Sequence, residues 1–325
     1  MPQDHSSQSP LLDIRNLSVE FSTDEGVLQA ASNISFRLER GKVLGLVGES
    51  GCGKSVTAMS IPNLIPQPPG KIISGEIFFN GQDLQKLSLP ELRKIRGKKI
   101  GVIFQEPMTA LSPLHRIDKQ LAEVCILHTN YNKEKIRALS LKWLHKVGLA
   151  APERIMRAYP FELSGGMRQR VMIAMAMLLQ PDLVIADEPT TALDVTIQAQ
   201  ILDLMRHLHR DTGGLLLITH DMGVIWEMCD DVAVMYASHL VEKAPVKELF
   251  AHPRHPYTQG LLQSIPGLQK NSNELHYIPG QVPSLLNPPP GCPFADRCPK
   301  VKPECRETMP EFIKVAENHY CACIQ

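Results

Sequence analysis

Apolar and polar residues alternate along the first forty positions. Leu12-Asp13-Ile14-Arg15-Asn16-Leu17-Ser18-Val19-Glu20-Phe21 and Ile34-Ser35-Phe36-Arg37-Leu38 read as half-buried antiparallel strands, connected through the turn-prone Thr23-Asp24-Glu25-Gly26. The unbroken apolar run Val43-Leu44-Gly45-Leu46-Val47 predicts a fully buried strand, and Ser55 to Leu64 a helix. From Glu106 to Gln180 the period becomes helical, with Ile117 to His128, Lys133 to Val147 and Met167 to Leu179 as the expected helices of an inserted subdomain. Leu183-Val184-Ile185-Ala186, a helix from Thr196 to Arg210 and Leu215-Leu216-Leu217-Ile218 then restore a strand–helix–strand order. That alternation argues for a parallel sheet covered on both faces, hence an α/β fold. Beyond about Pro253 the periodicity fades. Pro279, Pro283, Pro288, Pro289, Pro290, Pro293, Pro299 and Pro303 exclude a continuous helix or a central strand there. The expected organisation is a main domain over 11–252, with its helical part at about 106–180, and a small irregular Cys/Pro-rich C-terminal extension over 253–325.

Composition narrows the field. The 325 residues suit one large or two ordinary domains, and 43% apolar residues can build a substantial core. Lys and Arg total 34 and so do Asp and Glu, so the chain lacks the basic excess of a protein that coats nucleic acid. The longest apolar run, Val171 to Leu179, falls well short of the roughly 20 residues that cross a bilayer. Met1 to Pro10 is polar, without the apolar core of a signal peptide, so the expected location is the cytosol, with any membrane role supplied by partners.

Three motifs carry the chemistry. Gly48-Glu49-Ser50-Gly51-Cys52-Gly53-Lys54-Ser55 fits G-x-x-x-x-G-K-[ST] between a strand and a helix. Its glycines let backbone N–H groups close around a phosphate chain, Lys54 reaches the β- and γ-phosphates, and Ser55 offers a hydroxyl to Mg²⁺. The second motif ends the strand at Leu183 with Asp187 and Glu188. A carboxylate at the carboxyl end of a parallel strand can hold Mg²⁺, the expected role of Asp187; Glu188, one residue on, can orient or deprotonate the attacking water. Without a phosphate-binding loop in the same chain, the pair would equally suit a solvated acidic turn. The third is Leu163-Ser164-Gly165-Gly166-Met167, a second anion-seeking helix N-terminus. One loop already satisfies one nucleotide, so a second grip points to a second subunit.

Five of eight cysteines, Cys292, Cys298, Cys305, Cys321 and Cys323, fall in the last 34 residues. Paired disulfides are rare in a reducing cytosol. The spacing C-x5-C-x6-C followed by Cys321 and Cys323 suits tetrahedral zinc, an iron–sulfur cluster or free surface thiols, and does not choose among them.

Gly48 to Ser55, Gln105, Leu163 to Met167, Asp187-Glu188, Ala192-Leu193-Asp194 and His220, in that order, resemble the nucleotide-binding subunit of an ABC transporter, a match spanning about residues 12 to 250. The resemblance implies a P-loop NTPase of the ABC ATPase type, with an N-terminal antiparallel β-subdomain and an inserted α-helical signature subdomain. It also implies a head-to-tail dimer in which each ATP lies between the P-loop of one subunit and the Ser-Gly-Gly of the other. By the same resemblance, Phe21 takes the place of the residue stacking on adenine, and Val56 completes the nucleotide-binding set with Gly48 to Ser55. Gln105 senses Mg²⁺ and the attacking water, Glu188 is the general base, His220 meets the γ-phosphate and Asp194 crosses the dimer interface. Met167 departs from the Gln common in the family signature, which a grip made by Ser164, Gly165 and Gly166 should tolerate.

Arg254 to Leu262, Gly291 to Pro299 and Glu106 to Pro113 are similar to the dipeptide, oligopeptide and nickel import group, extending the resemblance over almost the whole chain. It implies an ATPase energising peptide uptake at the cytoplasmic face of the membrane, with nickel or another small solute as the alternative cargo. The implied partners are a second, homologous ATPase subunit, two permeases and a periplasmic or extracellular binding protein, with no nucleic acid. The alternative from another class is a soluble ABC ATPase acting on DNA or the ribosome; such proteins usually carry two cassettes or a long coiled-coil insertion, and this sequence shows neither. Relatives in this group are linked with a [4Fe–4S] cluster. Cys292, Cys298, Cys305 and Cys323 align best with its ligands; Cys321 rivals the last, and zinc is the alternative metal.

Overall fold

The computed structural model describes residues 9–191, 194–209, 212–265 and 277–324. The described chain falls into two compact units, one drawn from 1–87 and 220–325 and the other from 88–219.

In the first unit a four-stranded antiparallel sheet runs in the order Gly26–Leu38, Leu12–Thr23, Gly70–Phe79, Gln82–Asp83. Ile14 pairs with Phe36 on one side and Ile77 on the other, so the alternation read in the sequence aims one apolar face of three strands into the same core. The second strand starts earlier than Ile34 because Val27 to Ala31 continue the pairing without alternating. The wholly buried strand Val43–Val47 lies parallel to Asp231–Tyr236, with Leu46 opposite Ala233. Gly45 is needed in this strand: a Cβ there would stand 2.4 Å from Ile225 Cδ1 of the helix Met222–Met228. The helix after the glycine-rich loop covers only Lys54–Ser60, shorter than the pattern to Leu64 suggests, because Pro62 cannot donate to the next turn.

Asp231–Tyr236 is followed by the antiparallel strand His239–Pro245. The C-terminal extension pairs with that strand through His319–Cys321, itself paired with Ile313–Ala316, so the tail contributes a short hairpin. Its anchor is a buried polar knot. His319 Nε2 donates to Glu242 Oε1 at 2.7 Å, both side chains fully buried, and the same carboxylate accepts the N–H groups of Arg254 at 2.7 Å and His255 at 3.0 Å. A carboxylate with three donors keeps its buried charge compensated.

In the second unit Ile100–Ile103, Leu183–Asp187 and Gly214–Thr219 form parallel neighbours in that order, with Ile103 level with Ala186 and Ala186 with Leu217. Leu183–Asp187 and Gly214–Thr219 are buried along their whole length. The unit also holds the helices Leu89–Ile95, Pro107–Ala110, Ile117–His128, Lys133–Lys146, Pro152–Arg157, Gly165–Met177 and Val195–His209. Among the described residues no helix is long and apolar enough to cross a membrane.

Candidate nucleotide site and the cysteine-bearing tail

The glycine-rich loop of the first unit is built by steric exclusion. Gly53 caps the helix Lys54–Ser60 in the left-handed conformation, φ 98°, and a Cβ on it would meet the Ala30 carbonyl oxygen at 2.1 Å. The Lys54 ammonium, 5% exposed, donates to the carbonyls of Gly48 at 2.8 Å and Glu49 at 2.9 Å, so the loop curls around its own lysine. Gly51 is exposed, while Ser55 and Val56 at the start of the helix are half-buried. Cys52, inside the loop, is buried with its thiol pushed up, chiefly by that burial, so it carries little thiolate. Phe21 is half-buried beside Gly70. His220 is exposed, just ahead of Asp221, which caps the helix Met222–Met228 by accepting from Gly223 N–H at 2.7 Å.

The second unit carries the carboxylates and the second grip. Asp187 closes its strand and is buried. Glu188 turns out of the strand at φ 43°. Its Oε2 accepts from Gln105 Nε2 at 3.1 Å and from Thr191 Oγ1 at 2.9 Å. Gln105 is thus brought to Glu188, and Thr191, which the motif does not include, bonds the same carboxylate oxygen. Ser164 caps the helix Gly165–Met177 with its hydroxyl accepting from Met167 N–H at 3.4 Å, and Ser164 and Gly165 are exposed at that N-terminus. The buried Gln169 braces the turn after the carboxylates, its Nε2 donating to the Pro189 carbonyl at 2.6 Å. Asp194 is exposed and caps the helix Val195–His209 by accepting from Ile197 N–H at 3.0 Å; Ala192 and Leu193 lie outside the described residues.

In the tail none of the five cysteines forms a disulfide. Burial pushes the Cys292 thiol up to about 11, with Cys305, Cys323 and Cys298 adding smaller contributions. Cys298 is raised by burial too, with Cys323 and Cys305 next among its acidic neighbours. The Cys321 thiol is pushed up by burial first and then by the Glu242 carboxylate opposite it in the strand pair, with Cys323 and Cys292 adding smaller contributions. Among the described residues no three or more His, Cys, Asp or Glu side chains are placed to hold a metal ion. The donor set of Cys292, Cys298, Cys305 and Cys323 therefore fits a thiolate-held group in number and type, but is not drawn together around one ion.

A lysine-filled phosphate loop, a strand ending in two carboxylates and a serine-capped Gly-Gly helix together define a P-loop ATPase. Two family profiles match the sequence, "ABC transporter" over residues 31–191 and "Oligopeptide/dipeptide transporter, C-terminal region" over residues 241–305. The probable peptide ABC transporter ATP-binding protein y4tR of Sinorhizobium fredii is 48% identical over 315 residues, covering 96% of this chain and 94% of its own length. The oligopeptide transport ATP-binding protein OppD of Bacillus subtilis is 49% identical over 313 residues, covering 95% of this chain and 87% of its own. A dimeric ATP-binding cassette solved in a post-hydrolysis state with ADP and Pi superposes with a TM-score of 0.65 at 27% identity, over 72% of this chain and 98% of that one. The chain belongs to the ATP-binding subunits of ABC transporters, in the branch that carries the oligopeptide/dipeptide transporter C-terminal region. It is an ATP-hydrolysing subunit that energises transport.

Proposed function

We propose that this ATPase drives uptake of di- or oligopeptides from the cytoplasmic face of the membrane, bound there through two permease subunits and served by a substrate-binding protein. The observation that carries the reading is the tail. Residues 241–305 match the oligopeptide/dipeptide C-terminal region, and the relatives matched over nearly the whole chain are described as peptide transporters. ATP would lie between Gly48–Ser55 of one subunit and the Ser164-Gly165-Gly166 helix start of a homologous partner, where Ser164 and Gly165 are exposed. Lys54 holds the phosphates, Ser55, Asp187 and Gln105 serve Mg²⁺, Glu188 activates water, His220 meets the γ-phosphate and Asp194 crosses the interface. Phe21 stacks on adenine. Hydrolysis would reopen the dimer and rock the permeases between inward and outward states.

The test is the assembled transporter in vesicles, with ATPase rate followed as the binding protein is loaded. Peptide-loaded binding protein should stimulate hydrolysis severalfold over the empty form. Stimulation by nickel or another solute, with peptides inert, would contradict the cargo.

We further propose that Cys292, Cys298, Cys305 and Cys323 hold a [4Fe–4S] cluster. Four cysteines outside any disulfide, with Cys292 in electrostatic reach of the other three, support it. Such a group would cross-link the tail covalently through its thiolates. Anaerobically purified protein should carry about four irons per chain; stoichiometric zinc in their place would overturn the assignment.

A further inference from the structure

Arg297 belongs to the tail, at the end of the short turn Ala295–Arg297 between Cys292 and Cys298, yet its guanidinium is spent on the phosphate loop. Nη1 donates to Glu49 Oε2 at 2.7 Å and Nη2 to Glu49 Oε1 at 3.0 Å, a two-pronged pair. The other donors are also used: Nη1 to the Tyr236 hydroxyl at 3.2 Å, Nη2 to the Ile278 carbonyl at 3.1 Å and Nε to the Pro279 carbonyl at 3.0 Å. All five N–H groups of the fork are thereby satisfied. The Arg297 side chain is 5% exposed, so this is no solvent-screened surface pair.

Glu49 is the second residue of the loop, and it is held at three points. Its carboxylate takes the fork, its N–H donates to the Tyr257 hydroxyl at 2.9 Å, and its carbonyl accepts the Lys54 ammonium at 2.9 Å. Tyr257, Tyr236 and Phe294 pack ring against ring, with centroids 4.6, 5.2 and 5.4 Å apart, and so fix the two hydroxyls and the start of the tail turn. A continuous line of contacts therefore runs from the cysteine-bearing turn through Arg297 and Glu49 to Lys54.

We propose that Arg297 is a positioning residue for ATP: acting through Glu49, it holds Gly48–Ser55 in the conformation that receives the phosphates, so that the C-terminal extension sets nucleotide affinity. The energetic logic is preorganisation. A loop already fixed by a satisfied fork loses less freedom when the phosphates arrive. The interaction is the same with ATP bound as in the transition state, so it belongs in binding and not in the rate of the chemical step. Lysine cannot replace it, since a three-donor ammonium has no fork. Because Cys292 and Cys298 flank the turn, any change in its conformation reaches the loop by the same route.

The inference rests on Gly48–Ser55 being the ATP site, which loss of probe binding in Lys54→Ala establishes independently. The experiment titrates the full chain with trinitrophenyl-ATP and Mg²⁺, and measures KM and kcat in the assembled transporter. Arg297→Ala should raise Kd and KM about tenfold, the scale of one charge-assisted contact, with kcat at saturating ATP nearly kept. Glu49→Ala should raise Kd as well, and the Kd of the double variant should be no worse than that of either single. A merely structural role would lower the amount of active protein, and with it kcat, without moving Kd. Should Arg297→Ala not fold, Arg297→Lys should still raise Kd by about threefold, since the charge remains and the fork is lost. Wild-type Kd in the folded variants, or Glu49 and Arg297 effects that multiply, would overturn the proposal.

Discussion

Glu188 shows how a single residue acquires its chemistry from its neighbours. Its strand ends at Asp187, the chain turns through a left-handed φ of 43°, and the carboxylate is bonded by Gln105 and Thr191 from within the same unit. The motif Asp187-Glu188 was legible in the sequence because a buried apolar run announces the strand that carries it. Thr191 was not, since a lone threonine in a turn has no periodic signal. The cysteines divide similarly. Their crowding is visible in the sequence; their grouping is not, because Cys321 and Cys323 are equivalent on spacing alone. In the structure Cys321 is a buried strand residue paired with Glu242, while Cys323 lies two residues on, beyond the end of the strand His319–Cys321. Cys323→Ser should therefore lose the iron of anaerobic preparations, and Cys321→Ser should keep it. Iron analysis of the two variants decides, and the opposite pattern would exchange their roles.

At the scale of elements, those with one strong period were read closely. Val43–Val47 and Ile117–His128 coincide with their patterns, and Leu183–Asp187 extends its pattern by one residue. Elements held by pairing or capping were read poorly. Ile313–Ala316 is largely exposed and exists because His319–Cys321 pairs with it. The helix Pro256–Gln263 begins at His255, whose Nδ1 accepts the Tyr257 N–H at 3.1 Å. That acceptor must be unprotonated, and burial lowers the His255 pKa to about 4 from an ordinary 6.5. A histidine with a depressed folded pKa binds its proton more readily unfolded, so its neutral form stabilises the fold above pH 6.5. This contribution, on the order of 3 kcal/mol, is lost as pH falls from about 6.5 towards 4. Urea denaturation across that window should show a shallower acid loss for His255→Asn, which keeps a capping oxygen but does not titrate there. Parallel curves for the two proteins would contradict the cap.

At the scale of the whole molecule, the tail is bound to the rest of the first unit at two buried polar knots, His319 on Glu242 and Arg297 on Glu49. The second joins residues 248 positions apart in sequence, a separation at which composition and periodicity carry no information. The sequence shows a phosphate loop and a cysteine-rich tail as separate facts; the fold makes them one structure. The function of the chain still turns on whether ATP is bound by one set of residues and cleaved by another. Purified Glu188→Gln chain, mixed with Mg-ATP, tests this in one measurement of nucleotide occupancy, dimer formation and phosphate release. The account predicts ATP bound intact in a stable dimer with phosphate release near background. Undiminished hydrolysis by Glu188→Gln would contradict it.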